Sequence, residues 1–227
     1  MSRRPVRARK RLLWAAAAAV LITLLPAADR VAAALAEHRL ADRIAARQSE
    51  VVGEPQVTID GFPFLLSAAE GSFSRVAVRA DAVTREGRSV QASMDFTDVS
   101  EHAGSYRAAS ADARFTAPFG SFGDGLGPDT SLSDDGHGRL RIDRQVFGLP
   151  LTVTAELRLS GRTVKVVPVA ASFAGRPVDP SGPRISGAFA GQDRTLPELP
   201  AGLEPTDVSV TGAGVVLHAR GSDVRLT

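Results

Sequence analysis

The 227-residue sequence contains no cysteine. This absence excludes disulfide bridges, thiol chemistry and zinc sites built on cysteine ligands. A chain of this length buries enough apolar surface to fold without such cross-links. Aromatic residues other than phenylalanine are also scarce, with one Trp and one Tyr. A binding surface that depends on the stacking of Trp and Tyr rings is therefore not expected.

The sequence also lacks an excess of positive charge beyond its N-terminus. The first eleven residues contain six cations, Arg3, Arg4, Arg7, Arg9, Lys10 and Arg11. The remainder carries 21 Lys plus Arg against 25 Asp plus Glu, a net charge of −4. A mildly acidic domain does not have the basic footprint of a nucleic-acid-binding protein, so no nucleic-acid partner is predicted.

Seventeen uncharged residues, Leu12 to Ala28, follow the basic segment. As a helix they would extend about 25 Å, which is short for a membrane span but workable. The pattern predicts one of two structures. The first is an uncleaved signal-anchor, which is a transmembrane helix, and the second is a signal segment that is cleaved off. The sequence Pro26-Ala27-Ala28-Asp29 matches a cleavage site poorly, which favours the anchor. The expected location is the cytoplasmic membrane, with one N-terminal span and a periplasmic C-terminal domain, or export after cleavage.

These features divide the chain into residues 1–28, the basic N-terminus and anchor or signal segment, and residues 29–227, an extracytoplasmic domain. The domain begins with a predicted amphipathic helix over residues 29–48, which Asp29 is placed to cap. Its large apolar residues recur at spacings of four and five, close to one helical face. These residues are Val31, Leu35, Leu40 and Ile44.

After the helix, apolar and polar residues alternate in about eight to ten segments. A period of two predicts strands with one buried and one exposed face, and short Gly- and Pro-containing turns favour antiparallel pairing. The predicted fold is α+β, a curved and mostly antiparallel β-sheet wrapped around the long N-terminal amphipathic helix, which covers its apolar face. The strand segments include 57–59, 76–80, 90–96, 140–142, 151–159, 164–166, 208–210 and 215–219.

No residue pattern points to catalysis. The sequence has no GxSxG pentapeptide, and its Gly-rich segment 120–127 lacks the register of a phosphate-binding loop. The four histidines are not spaced as metal ligands. Asp134, Asp135 and His137 are candidate acid–base groups, but Gly136 and Gly138 favour a hairpin turn. We predict no catalytic residue, no metal and no cofactor, and therefore no enzyme.

The most informative local motif is apolar. Residues 60–66 read DGFPFLL and place two Phe and two Leu around a proline, where a strand is expected to end. One interpretation is that these side chains close one end of the core. The other is that they form a mobile apolar lip that admits an acyl chain. The sequence leaves both interpretations open.

Residues 55–83, PQVTIDGFPFLLSAAEGSFSRVAVRADAV, resemble the signature of the actinobacterial LmeA-type family of phospholipid-binding envelope proteins. Segments 148–169 and 199–226 resemble the family as well, whereas residues 105–135 fit less well. The resemblance implies a single-pass or exported lipid-binding protein in envelope lipid or lipoglycan metabolism, without catalytic residues. The matching positions of the signature are Gly61, Phe62, Pro63, Phe64, Leu65, Gly71, Phe73, Val76 and Val78.

The predicted function is non-catalytic phospholipid binding in the cell envelope, with acyl chains held in an apolar groove in support of envelope lipid or lipoglycan metabolism or transport. A cytoplasmic-membrane lipid is the expected partner, with Arg75 or Arg79 near its phosphate. One alternative is an envelope scaffold with a filled core that binds a protein partner. Another is a hydrolase or transferase that uses the Asp134 segment. The predicted lipid contacts are Phe62, Phe64, Leu65, Leu66, Phe73, Arg75 and Arg79.

Overall fold

A computed structural model describes residues 6–48, 50–84, 87–102, 104–121, 129–183, 185 and 193–226, and side chains from residue 25 onward. The helices are α1 (Val6–Arg47) and α2 (Phe64–Glu70), with a short 3-10 helix at Pro200–Gly202. The strands are β1 (Val51–Asp60), β2 (Ser72–Val83), β3 (Ser89–His102), β4 (Ser105–Ala117), β5 (Thr130–Asp134), β6 (Leu140–Val146), β7 (Leu149–Ser160), β8 (Thr163–Phe173), β9 (Arg176–Val178), β10 (Arg194–Thr195), β11 (Glu204–Thr211) and β12 (Gly214–Leu226).

The strands form two antiparallel sheets rather than the single sheet predicted. The first sheet has the order β1-β2-β3-β4-β12-β11. The second has the order β10-β8-β7-β6-β5, with β9 paired to β8. Val210 of β11 packs with the core of the second sheet, so β11 links the two. The predicted combination of a long N-terminal helix with mostly antiparallel strands is confirmed.

The helix α1 packs on the first sheet through small side chains. Ala33 and Ala41 are buried in the same core cluster as β-strand residues, and Leu40 and Ile44 pack against that cluster. The sequence prediction placed Val31 and Leu35 on this face, which is wrong, since they are 60% and 53% exposed. Alanine gives little hydrophobicity signal, and its small volume lets a helix lie close to a sheet.

The helix α1 is continuous through Pro26 and does not begin at Asp29. It therefore crosses the predicted boundary between residues 28 and 29, and this division of the chain stays a prediction. A helix interior tolerates proline at the cost of one backbone hydrogen bond. The predicted capping role of Asp29 at the start of this helix is consequently wrong.

The predicted transmembrane anchor, and with it the predicted cytoplasmic-membrane location, is overturned. Among the residues that the structure describes, no helix has both the length and the apolar character needed to cross a membrane. Residues 1–5 and the side chains of residues 6–24 lie outside the described part.

Strand β4 explains why the sequence predicted too few strands. Its core-facing residues are the buried Ala108, Ala111 and Ala113, so its alternation is between small and polar side chains. The pairings β3–β4 and β4–β12 place this strand inside the first sheet. The Gly-containing segments at Ser160-Gly161 and at Thr211 to Gly214 form the turns of the β7–β8 and β11–β12 hairpins.

The β11–β12 hairpin makes a first prediction at Gly214, which has φ +138°. A Cβ atom at this position would overlap the Ala117 carbonyl oxygen and lie 2.8 Å from its carbon. We expect Gly214→Ala to lower the free energy of unfolding by at least about 1–3 kcal/mol, because the strain of the positive φ adds to this overlap. Urea denaturation measures the change.

Gly212 in the same hairpin is the matched control, because a Cβ atom there meets nothing within 4 Å. Gly212→Ala is expected to leave the urea midpoint nearly unchanged. Equal midpoints for the two variants would mean that β12 does not approach β4 as closely as described.

Candidate functional site

The motif DGFPFLL forms a compact corner between β1 and α2. A cis peptide bond joins Phe62 to Pro63, and α2 begins at Phe64. Phe62, Leu65 and Leu66 are 64%, 49% and 54% exposed, whereas Phe64 is buried. Phe62 precedes the helix, and Leu65 and Leu66 lie in its first turn, so the three exposed side chains are close together along the chain. We call these three exposed residues the apolar corner.

Aromatic side chains hold the corner to the first sheet. The ring of Phe64 stacks on Phe73 of β2, with 5.9 Å between the ring centroids. Phe73 in turn lies 6.4 Å from the ring of Tyr106 on β4. Aromatic pairs at such separations are stabilising beyond the area that they bury. The sheet therefore fixes the position of α2 from below.

A second set of contacts joins the corner to α1. The backbone N–H of Leu65 donates a hydrogen bond of 2.8 Å to Oδ1 of Asp29. The guanidinium carbon of Arg30 lies 5.3 Å from the centroid of the Phe62 ring, within the range of a cation–π contact. Leu25, one turn before Asp29, is also exposed. The apolar corner thus continues onto α1 and carries a cation at its edge.

Asp29 is buried, with its side chain bound to the start of α2. The hydrogen bond from the Leu65 N–H lowers the pKa of Asp29, burial opposes this, and the Phe64 N–H and Arg30 lower it further. The net pKa lies below the ordinary value. The carboxylate therefore remains charged at neutral pH and caps α2, not α1.

A second prediction concerns Asp29. Since its pKa is lower in the folded state, its stabilising contribution is complete above the unfolded-state value of about 4. This contribution is lost as the pH falls through the lower folded-state value. We expect Asp29→Ala to lower the melting temperature at pH 7, and the difference from the original protein to shrink in strongly acidic solution.

Thermal melts from pH 2 to pH 7 measure this difference. Asp42 lies on the same helix, and its exposed side chain makes Asp42→Ala the matched control. The control should melt like the original protein at pH 7. A melting temperature of Asp29→Ala that equals this control at pH 7 would contradict the capping role.

The structure brings five of the seven predicted lipid contacts together at or beneath the corner, namely Phe62, Phe64, Leu65, Leu66 and Phe73. The other two lie on β2, on the face of the sheet opposite α1. Arg75 donates a 3.0 Å hydrogen bond from Nε to Asp95 and lies 3.8 Å from Asp60. Arg79 is exposed and pairs in register with Ser93 of β3.

The segment with Asp134, Asp135 and His137 forms the turn between β5 and β6. Burial raises the pKa of Asp135, but hydrogen bonds from the His137 and Arg139 N–H groups and from the Arg139 side chain lower it overall. Its carboxylate thus stabilises the turn. Within the described residues, no group of His, Asp or Glu is arranged to hold a metal ion. Most of segment 120–127 lies outside the described residues.

Sequence reasoning missed three side chains at the corner: Asp29, Arg30 and Tyr106. Asp29 carried a capping signal, but the helix that it caps was not predicted. Pro63 just before the first helical residue and Gly71 just after the last are the signals that would have indicated a short helix instead of an extended apolar lip. No sequence signal pairs Arg30 with Phe62, because that contact depends on how α1 lies.

Comparison with known proteins identifies the family of the chain. The family model of LmeA-like phospholipid-binding proteins matches residues 27–220, which is most of the chain. The chain belongs to this family. Neither the curated proteins nor the solved structures include a match. The match spans α2, the apolar corner and nearly all of both sheets, so the resemblance seen in the motif extends over the fold.

Proposed function

We propose that this LmeA-like protein binds a phospholipid by placing its acyl chains against the apolar corner. The chains would lie in a groove between α2 and the turns of α1 that begin at Leu25. The observation that carries the proposal is the exposure of Phe62, just before α2, and of Leu65 and Leu66 on α2 itself, a helix whose position is fixed. A cluster of exposed apolar side chains often marks a ligand or membrane contact, whereas single exposed apolar residues are common on any protein surface.

The energetics of acyl-chain burial support this use of the corner. Each buried methylene group contributes about 0.8 kcal/mol, so four of them contribute roughly 3 kcal/mol, or about a hundredfold in affinity. The backing by Phe64 and Phe73 means that α2 is already ordered before a lipid arrives. A preordered surface loses less conformational entropy on binding, which favours affinity.

Arg30 supports the placement of the head group. Its guanidinium lies over Phe62 at the edge of the apolar corner, where an acyl chain would meet its polar head. Guanidinium groups bind phosphate oxygens through paired hydrogen bonds. Arg75 already pairs with two carboxylates, so Arg30 replaces it in our proposal as the cation beside the phosphate.

The wider role in the proposal is non-catalytic. The protein would hold phospholipid in support of envelope lipid or lipoglycan metabolism, or of lipid transport. The carboxylates at the predicted acid–base segment, Asp134 and Asp135, accept hydrogen bonds from the Gly136 and His137 N–H groups within their own turn. This arrangement supports a structural function for that segment over a hydrolase or transferase function.

Native mass spectrometry of the gently purified full chain tests the proposal. We expect mass increments that match phospholipid, and fragmentation of the released ligand should give a phosphate-containing head group and acyl chains. A chain that carries no lipid and takes up none from mixed phospholipid vesicles would contradict the proposal. Capture of a protein through an edge strand, β1 or β5, by such an empty chain would favour the scaffold alternative.

A further inference from the structure

A second candidate site lies on the opposite face of the first sheet. Near the ends of β3, β4 and β12, polar side chains surround a depression of about 640 Å³. This volume falls in the range of small-molecule sites, about 300–1,000 Å³. None of the seven predicted lipid contacts lines it. The polar side chains that line the depression include Asp98, Ser100, His102, Ser105, Arg107 and Arg225.

The strand register explains which face the depression occupies. Val99, Ala108 and Val224 are buried in the core that faces α1. Their chain neighbours Ser100, Arg107 and Arg225 point the other way, since successive side chains of a strand alternate between faces. The depression is therefore separated from the apolar corner by the thickness of the sheet.

Two arginines face each other in this depression. Arg107 of β4 and Arg225 of β12 are direct partners in the register, and Ser100 of β3 is the partner of Arg107 on its other side. Like charges directly opposite on neighbouring strands are destabilising unless an anion lies between them. Arg107 pairs with Asp223 at 2.8 Å. No described residue forms an ion pair with Arg225.

The remaining polar groups complete an anion site. Ser105 of β4 and His102 of β3 are register partners, two residues from the pair of Arg107 and Ser100. They therefore lie on one side of the two arginines, toward the β3–β4 turn. Asp98 and Asp223 lie on the other side, both with φ 51°. The Ser105 hydroxyl donates a 3.0 Å hydrogen bond to the His102 carbonyl oxygen, so it fixes the β3–β4 hairpin. The carboxylates of the depression are thus confined to one end.

We propose that this depression binds a phosphate group between Arg225 and Arg107, with the hydroxyl group of Ser100 as a further donor. Arginine pairs match the geometry of phosphate oxygens better than isolated lysines do. The phosphate belongs either to a lipid head group or to a soluble molecule. Asp98 limits the affinity, because its carboxylate repels an anion. The site is independent of the acyl-chain site at the apolar corner.

Calorimetric titration of the full chain at low salt tests the proposal with two probes, inorganic phosphate and glycerol phosphate. We expect Arg225→Gln to weaken binding about tenfold, as for the loss of a charge-assisted hydrogen bond. Asp98→Asn should strengthen binding, and asparagine accepts a positive φ as readily as aspartate does. Arg114 of β4 is exposed and does not line the depression, so Arg114→Gln is the control and should bind like the original protein.

Sedimentation with phosphatidylcholine vesicles that contain phosphatidylglycerol separates the two sources of phosphate. Loss of vesicle binding in Arg225→Gln, without measurable binding of the soluble probes, would assign the site to lipid head groups. Binding of the soluble probes that depends on Arg225 would assign it to soluble phosphates. If Arg225→Gln and Arg114→Gln behave alike with every probe, the proposal is overturned, whatever the result at the apolar corner.

Discussion

Replacing the apolar corner with glutamine, as Phe62→Gln, Leu65→Gln and Leu66→Gln together, is expected to weaken phospholipid binding about a hundredfold. Full burial of one large apolar side chain contributes about 1.5–3 kcal/mol, and these three side chains are about half exposed before a lipid binds. The loss of three half-burials therefore amounts to about 2–4.5 kcal/mol, and about 3 kcal/mol corresponds to roughly a hundredfold in affinity. Binding of a fluorescent phospholipid, titrated against each protein, measures the loss.

The triple variant is expected to remain folded. Its three side chains are exposed, and glutamine is a good helix former within α2. Phe147, at the turn between β6 and β7, is the matched control because it is 99% exposed and lies in the second sheet. Phe147→Gln should bind phospholipid like the original protein. Equal losses in the control and the triple variant would mean that binding reflects general surface stickiness.

The second large effect is expected at Phe64, beneath the corner. Phe64→Ala removes a buried ring that stacks on Phe73, and such changes lower the free energy of unfolding by about 3–5 kcal/mol. Because α2 rests on this ring, phospholipid binding should fall as well. Urea denaturation followed by circular dichroism measures the stability, and the fluorescent phospholipid measures the binding.

Phe64→Leu separates stability from the presence of an apolar anchor. Leucine fills part of the space and keeps α2 on the sheet, so we expect a smaller loss of stability and nearly unchanged phospholipid binding. A Phe64→Ala variant as stable as the original protein would contradict the buried position of the ring. A Phe64→Leu variant that lost all binding would place Phe64 itself in contact with the lipid.

Large apolar residues made part of this fold predictable from sequence. The alternation of Leu151, Val153, Ala155 and Leu157 predicted β7, and a neighbouring strand lies on each of its sides. The DGFPFLL motif led to the family, which the match over residues 27–220 confirms. In both cases the signal comes from side chains whose hydrophobicity contrasts strongly with that of their neighbours.

Alanine-based packing could not be predicted in the same way. The helix α1 packs on the core through the buried Ala33 and Ala41, and β4 packs through the buried Ala108 and Ala111. None of these alanines produces a strong periodic signal in the sequence. The exposed Val31 and Leu35 produced a stronger one and indicated the wrong helical face. Hydrophobicity alone does not report how closely two backbones approach, and that distance is what favours small residues here.

Contacts between distant segments were also beyond the sequence. Asp29 lies 36 residues before Leu65, and only the folded arrangement shows that its carboxylate caps α2. The facing arginines, Arg107 and Arg225, are separated by an even longer stretch of chain and meet through the β4–β12 register. Short-range patterns predict strands, but the order of strands in a sheet decides which side chains become neighbours.

The most direct test of the acyl-chain site is cross-linking by a phospholipid with a photoreactive group near the end of its acyl chain. After irradiation and proteolysis, mass spectrometry locates the labelled residues. We predict labels at Phe62, Leu65 and Leu66, and on the turns of α1 that begin at Leu25. Labels confined to the second sheet, or spread evenly over the chain, would contradict acyl-chain binding at the apolar corner.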